Sequence, residues 1–185
     1  ITRQLCVAIG DNQPVVANDA PDVAAKSAAH VSAPVSHIGG VMQLTPFHIA
    51  IQVRDIDEAR DFYGVKMGLA EGRSERGWID FNMFGHQLVT HFNPELGKTG
   101  TIGNISNPVD GHGVPVPHYG VVMNFEDWEV FAKKVSGFID DFIIEPYVRF
   151  KGEKGEQGTM FFSDPSGNAL EFKAFRNIEL ELFAK

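Results

Sequence analysis

The 185-residue chain carries 24 acidic against 16 basic side chains, a net charge of −8 that excludes the basic face nucleic acid requires. A hydrophobic fraction of 43% with 15 Phe supplies one domain, or two small modules sharing a core, and no apolar run reaches the roughly 18 residues that span a membrane. The one cysteine, Cys6, excludes an internal disulfide and a thiolate zinc site, as expected of a soluble protein in a reducing compartment.

In chain order, residues 1–44 are rich in Ala, Val, Ser, Asn and Asp, with few large apolar side chains after Leu5. They read as a mostly irregular N-terminal arm: a leader remnant, a linker or a docking segment. Removal of a targeting segment ahead of Ile1 would place the protein in an organelle matrix or stroma; otherwise the cytoplasm is expected. The texture changes at residue 45, where a domain over 45–176 begins, with module one at 45–95, module two at 117–176 and a C-terminal tail at 177–185. Alternation around His48, Ala50 and Gln52 predicts a strand. Asp55 or Asp57 then caps a short amphipathic helix with Ala59, Phe62 and Tyr63 on one face, closed by Gly68. Two strands hinged at Gly85 follow in "RGWIDFNMFGHQLVTHFNP". The stretch from Asn93 to Pro117 is rich in Gly and Pro without helical periodicity, which predicts a flexible crossover.

The second half copies the first. A strand through His118, Gly120 and Val122 leads into a helix with Trp128, Phe131, Ala132 and Val135 on one face. "YVRFKGEKGEQ" follows, and then "GTMFFSDPSGNALEFKAF", two strands hinged on Asp164–Gly167. The repeat predicts an α+β fold of two tandem βαβββ modules forming a cup-shaped, eight-stranded mixed sheet.

The repeat also lets positions be compared within one sequence. Aligning "GNALEFKAF" with "GHQLVTHFN" sets Glu171 opposite Val89, while His48 and His118 occupy matching places on the first strand of each unit. Alone, a strand Glu usually faces solvent and a strand His is usually a satisfied polar residue. Together, two imidazoles and one carboxylate at equivalent positions match the facial triad of mononuclear non-haem Fe(II) enzymes, which leaves coordination positions open. A buried Glu171 would then be compensated by a metal. A fourth ligand in place of Val89 would instead favour a Lewis-acid isomerase.

These residues resemble the vicinal oxygen chelate superfamily, which includes glyoxalase I, extradiol catechol dioxygenases, fosfomycin-resistance enzymes and bleomycin-sequestering proteins. The resemblance covers 45–176 and rests on "HIAIQVRDIDEARDFY", "HYGVVMNFEDWEVFA" and above all "FFSDPSGNALEF". The longer match is similar to the branch described as predicted extradiol-type dioxygenases. It implies metal ligands at His48, His118 and Glu171 and a substrate cup of eight curved strands. In the family the cup closes within one chain or by exchange between two, and the length of the linker favours closure within the chain.

The resulting expectation is an Fe(II)-dependent extradiol-type dioxygenase acting on a small catecholic or other vicinal-oxygen substrate. Its rivals are a glyoxalase- or isomerase-like enzyme using Mn(II), Zn(II) or Ni(II), and a non-catalytic binding or scaffold subunit. His91, on the face of Val89, and Tyr147 are candidate proton-transfer residues. Arg149 and Lys151 are candidates for fixing an anionic substrate group, and His112 is placed near the cup mouth. His30 and His37, in the arm, receive no role. The partners expected are a small-molecule substrate and either a second copy of the chain or a larger assembly docked through the arm.

Overall fold

The computed structural model of the protein describes residues 35–37, 40–42, 45–109 and 111–183. Within the N-terminal arm, β1 (Val35–His37) and β2 (Gly40–Met42) form a short antiparallel ladder. The remainder adopts the α+β arrangement of two βαβββ modules that the repeat predicts.

Module one opens with β3 (His48–Val53). The Asp55 side chain caps α1 (Ile56–Ala59) by accepting from the Glu58 backbone N–H at 2.8 Å, and the helix continues as a π-helical segment over Arg60–Lys66. Ala59, Phe62 and Tyr63 are buried as their spacing requires. Then come β4 (Ala70–Glu75), β5 (Trp78–Met83) and β6 (His86–Phe92), in the sheet order β3-β6-β5-β4 with β3 parallel to β6.

The segment read as a flexible crossover is folded. A 3-10 turn at Pro94–Leu96 leads to an antiparallel hairpin of β7 (Ile105–Val109) and β8 (His112–Val116), in register from Ile105↔Val116 to Val109↔His112. Gly111, at φ 81°, supplies the left-handed residue that so short a turn requires. Composition hid this hairpin, because Gly and Pro, which read as strand breakers, fall among its apolar Ile105, Val109, Val114 and Val116.

Module two repeats the topology with its first strand broken in two. β9 (His118–Tyr119) and β10 (Val122–Asn124) both run parallel to β13 (Ala169–Phe175), which pairs with β12 (Gln157–Ser163) and through it with β11 (Ile144–Arg149). The break falls at Gly120, where any Cβ would run into the backbone carbonyl of Glu171, so only glycine lets the chain pass this close. α2 (Phe125–Val135) buries Trp128, Phe131, Ala132 and Val135. Trp128 donates from Nε1 to Phe172 O at 3.0 Å and lies against Gly158, which has no side chain to displace it. In the tail, Asn177 caps a short α3 (Ile178–Glu181).

The helix-side faces of both sheets merge into one core, with Phe62 against Phe162 and Phe84 against Phe131 and Phe172. The turn Asp164–Gly167 fastens the modules together. Ser166 Oγ accepts from Arg54 N at 2.9 Å, and Asn168 Nδ2 donates to Gln52 O at 2.8 Å. Asp164, 4% exposed, accepts from Tyr63 OH at 2.7 Å and from Ser166 N, Asn168 N and Asn168 Nδ2. Burial nevertheless raises the pKa of its carboxyl from the ordinary aspartate value. The "DPSGN" motif is therefore an inter-module fastener as well as the hinge before Glu171.

Candidate metal centre

Strand alternation decides which side chains face away from the core. On β13 the core takes Leu170, Phe172 and Ala174, leaving Glu171 and Lys173 on the opposite face. There Glu171 is 7% exposed. Its Oε1 accepts from Thr159 Oγ1 at 3.1 Å, on the neighbouring strand. Its Oε2 lies 3.1 Å from His118 Nε2 and 3.3 Å from Lys173 Nζ. Glu171 is thus buried on the face the repeat alignment requires, beside His118.

The imidazole of His118 is fixed from behind. Its Nδ1 lies 2.6 Å from Pro115 O, and a carbonyl can only accept, so Nδ1 carries the proton. In the neutral ring this aims the Nε2 lone pair at a carboxylate oxygen. Two acceptors at that distance call for a cation between them, a proton or a metal ion. A histidine whose second nitrogen is held by a carbonyl is the usual supporting geometry of a metal ligand. The donor set therefore fits a divalent metal, with the Glu171 oxygen and the His118 nitrogen as ligands.

His48 is built in the same way on module one. Its Nδ1–H donates to Gln87 Oε1 at 2.7 Å, and Gln87 Nε2 donates to the buried Asp80 at 3.0 Å. This leaves Nε2 as the unprotonated nitrogen of a residue that is exposed at the start of β3. His48 does not, however, join the other two within the chain: among the described residues no group of three His, Cys, Asp or Glu side chains is close enough to hold one metal. Closure within the chain, favoured from linker length, is therefore not accompanied by a three-ligand group among the described residues. β3 meets module two at its far end, where Gln52 O bonds Asn168, and His48 lies about 13 Å back along the strand from that junction. The linker length that suggested closure is instead taken up by the β7–β8 hairpin.

A cavity of about 210 Å³ opens beside His118 and Glu171. Tyr147 and Arg149 line it, as do Thr159 and Lys173 on the strands flanking Glu171. His112, at the start of β8, covers one side with its ring 5.5 Å from that of Tyr147. Lys151 is exposed on the following loop and is not part of the lining. His91 is exposed on β6 of module one, opposite Gln52 and Trp78, and does not approach this cavity. Val89 is 5% exposed and apolar, so module one offers no carboxylate in the place of Glu171. Sequence reasoning missed Lys173 and Thr159. The period-two alternation that selected Glu171 also places Lys173 on its face. The docking role considered for residues 1–44 lies largely outside the described residues.

Residues 45–172 match the family model described as Glyoxalase/Bleomycin resistance protein/Dioxygenase superfamily. The crystal structure of a glyoxalase/bleomycin resistance protein/dioxygenase from Alicyclobacillus acidocaldarius is similar at 31% identity and a TM-score of 0.55, covering 72% of this chain and 93% of that one. A glyoxalase/dioxygenase from Nostoc punctiforme, 18% identical over 69% of this chain and 88% of its own, shares the fold at a TM-score of 0.51. No curated protein matches the chain.

Proposed function

Because this chain belongs to the glyoxalase/bleomycin resistance protein/dioxygenase superfamily, we propose that it is a metal-dependent enzyme of the extradiol dioxygenase type. Its metal site takes His118 and Glu171 from one chain and His48 from a second copy. The observation that carries this reading is the His118 Nε2 lone pair, fixed by Pro115 O and set 3.1 Å from the buried Glu171 carboxylate. His48 supports the dimeric part, its Nδ1 being held by Gln87 while, among the described residues, it joins no group of three metal-ligating side chains of its own chain.

Three protein ligands leave room for a substrate with two adjacent oxygens and for dioxygen, which favours Fe(II) over a closed structural site. Buried, apolar Val89 offers no fourth ligand, which counts against a four-ligand isomerase site. When bound, Fe(II) supplies Lewis acidity toward the substrate oxygens and one-electron chemistry toward dioxygen. The chain's own residues position and desolvate. Ile144 and Phe161 exclude water beside the ligands, and Tyr147, in the same lining, is the residue assigned to accept or return a substrate proton. Thr159 holds Oε1 of Glu171, leaving Oε2 for the metal.

Anaerobic titration of the full chain with Fe(II) tests the reading. Saturable binding at about one metal per chain, lost in His118→Ala, is expected from a site in which each ligand set is completed once. No saturable binding, or binding that survives His118→Ala, overturns it.

A further inference from the structure

The two histidines of the proposed site take the same proton position from unlike supports. His118 Nδ1 faces the carbonyl of Pro115, an oxygen that can only accept. His48 Nδ1 faces the side-chain amide of Gln87 at 2.7 Å, and an amide can present either its oxygen or its nitrogen. Something must orient it. We propose that Asp80 does so: it is a positioning residue that, through Gln87, keeps the proton of His48 on Nδ1 and the Nε2 lone pair free for a metal. The proposal rests on the metal-site reading above and adds to it a residue that touches neither metal nor substrate.

The repeat shows how the two modules differ here. In module two, Phe161 pairs with Glu171 across β12 and β13, and Ala169 pairs with His118. In module one the matching pairs are Asp80 with Val89 and Gln87 with His48. The carboxylate and its apolar partner have exchanged strands, and an amide stands where module two has a residue too small to bond an imidazole. Asp80 is 7% exposed, on the sheet face opposite Ile79, Phe81 and Met83, which enter the core. Gly72 on β4 makes room for it, since a Cβ there would stand 3.2 Å from that of Asp80. A buried carboxylate requires donors. Gln87 Nε2 reaches its Oδ2 at 3.0 Å and Arg73 Nη2, on a mostly exposed side chain, reaches the same oxygen at 3.4 Å. Because the carboxylate only accepts, the amide nitrogen turns to Asp80 and the amide oxygen to His48, which fixes the proton on Nδ1. A flipped amide would set its oxygen against the carboxylate, acceptor to acceptor. Its N–H would then point at Nδ1, which would have to accept, and the proton would move to Nε2. His48 is itself exposed, so water can bond whichever nitrogen Gln87 leaves. Loss of Asp80 therefore changes the tautomer rather than leaving a group unbonded, and a metal then meets a nitrogen that already holds a proton.

The experiment is ¹⁵N NMR of the histidine side chains, which separates a protonated ring nitrogen from an unprotonated one and reads no turnover. It uses the metal-free full chain at about pH 9, above the ordinary imidazole range. All proteins carry Glu171→Gln, so that no carboxylate of a second copy draws the proton to Nε2, and the His48 signals are assigned by their loss in His48→Ala. The reference protein should hold the His48 proton on Nδ1. Asp80→Asn, which lets the Gln87 amide flip, should move much of that population to Nε2. Asp80→Asn combined with Gln87→Glu should return it, because a carboxylate then faces His48 directly and the new amide donates to that carboxylate. In proteins that keep Glu171, Co(II) affinity should follow the same order. It should fall about 10- to 100-fold in Asp80→Asn, the usual loss of a ligand's supporting partner, and recover in the double variant. A proton on Nε2 in the reference protein, an unchanged tautomer in Asp80→Asn, no return in the double variant, or a shifted tautomer without loss of Co(II) affinity would overturn the proposal. Should Asp80→Asn alone not fold, the reference protein and the double variant still decide. If none of the proteins takes up Co(II), the metal reading fails, and the tautomers still decide whether Asp80 positions His48.

Discussion

Replacing Glu171 by Gln removes one charge and almost no volume, so it separates a metal ligand from a structural residue. Without metal the cost is small. The amide oxygen can still accept from Thr159 Oγ1, and the pair with Lys173, whose side chain is 36% exposed, is a partly screened ion pair worth ~0–1 kcal/mol. With metal the difference is large. At free metal one hundredfold above its dissociation constant, binding adds about 2.7 kcal/mol to the stability of the native state. For a domain of this size that raises the melting temperature by about 5–11 °C. Losing a carboxylate ligand weakens binding at least as much as losing a supporting residue, roughly 10- to 100-fold. At the hundredfold limit the same metal concentration adds only about 0.4 kcal/mol, a rise of about 1–2 °C. The assay is thermal unfolding of the parent and Glu171→Gln with and without Mn(II) under reducing conditions. Equal metal-induced shifts in the two proteins would refute the assignment of Glu171 as a ligand.

Two further substitutions test how the fold supports that carboxylate. Asn168→Ala removes the bonds to Gln52 O and to the Asp164 carboxylate, and should cost about 2–3 kcal/mol in urea unfolding. Because Asn168 touches neither ligand, its metal-binding heat should persist at temperatures where the variant is folded. Gly120→Ala forces a methyl group against the Glu171 carbonyl, so β9 or β13 must shift, at about 1–3 kcal/mol. Unlike Asn168→Ala, it should also weaken metal binding. Unchanged metal affinity in Gly120→Ala would show that the close approach is packing alone.

Much of this was legible where local chemistry decides. The Asp55 cap, the buried faces of α1 and α2 and the Asp164–Gly167 hinge follow from spacing and turn residues, and the structure places them accordingly. The pairing of His118 with Glu171 was legible through the internal repeat, because equivalent positions on equivalent strands share a face. What escaped depends on approach between distant segments. The break of the strand at Gly120 is set by the Glu171 backbone, far along the chain, and leaves no local trace. The β7–β8 hairpin has Gly and Pro within its strands and β7 is exposed throughout, so hydrophobic periodicity could not reveal it. His48 has the right residue type and the right support, but its distance from the other two ligands is fixed by how the modules fasten at Asn168.

The central claim is that His48 of one copy completes the pair His118 and Glu171 of another. It is tested most directly by mixing chains. His48→Ala and Glu171→Gln, each alone, should bind Co(II) weakly. Co-expressed with different tags and purified as the mixed dimer, they should regain about half of the parental tight sites, because one of the two sites then draws all three native ligands. A mixed dimer that binds no better than either variant, or a His48→Ala protein that binds like the parent, would contradict the account.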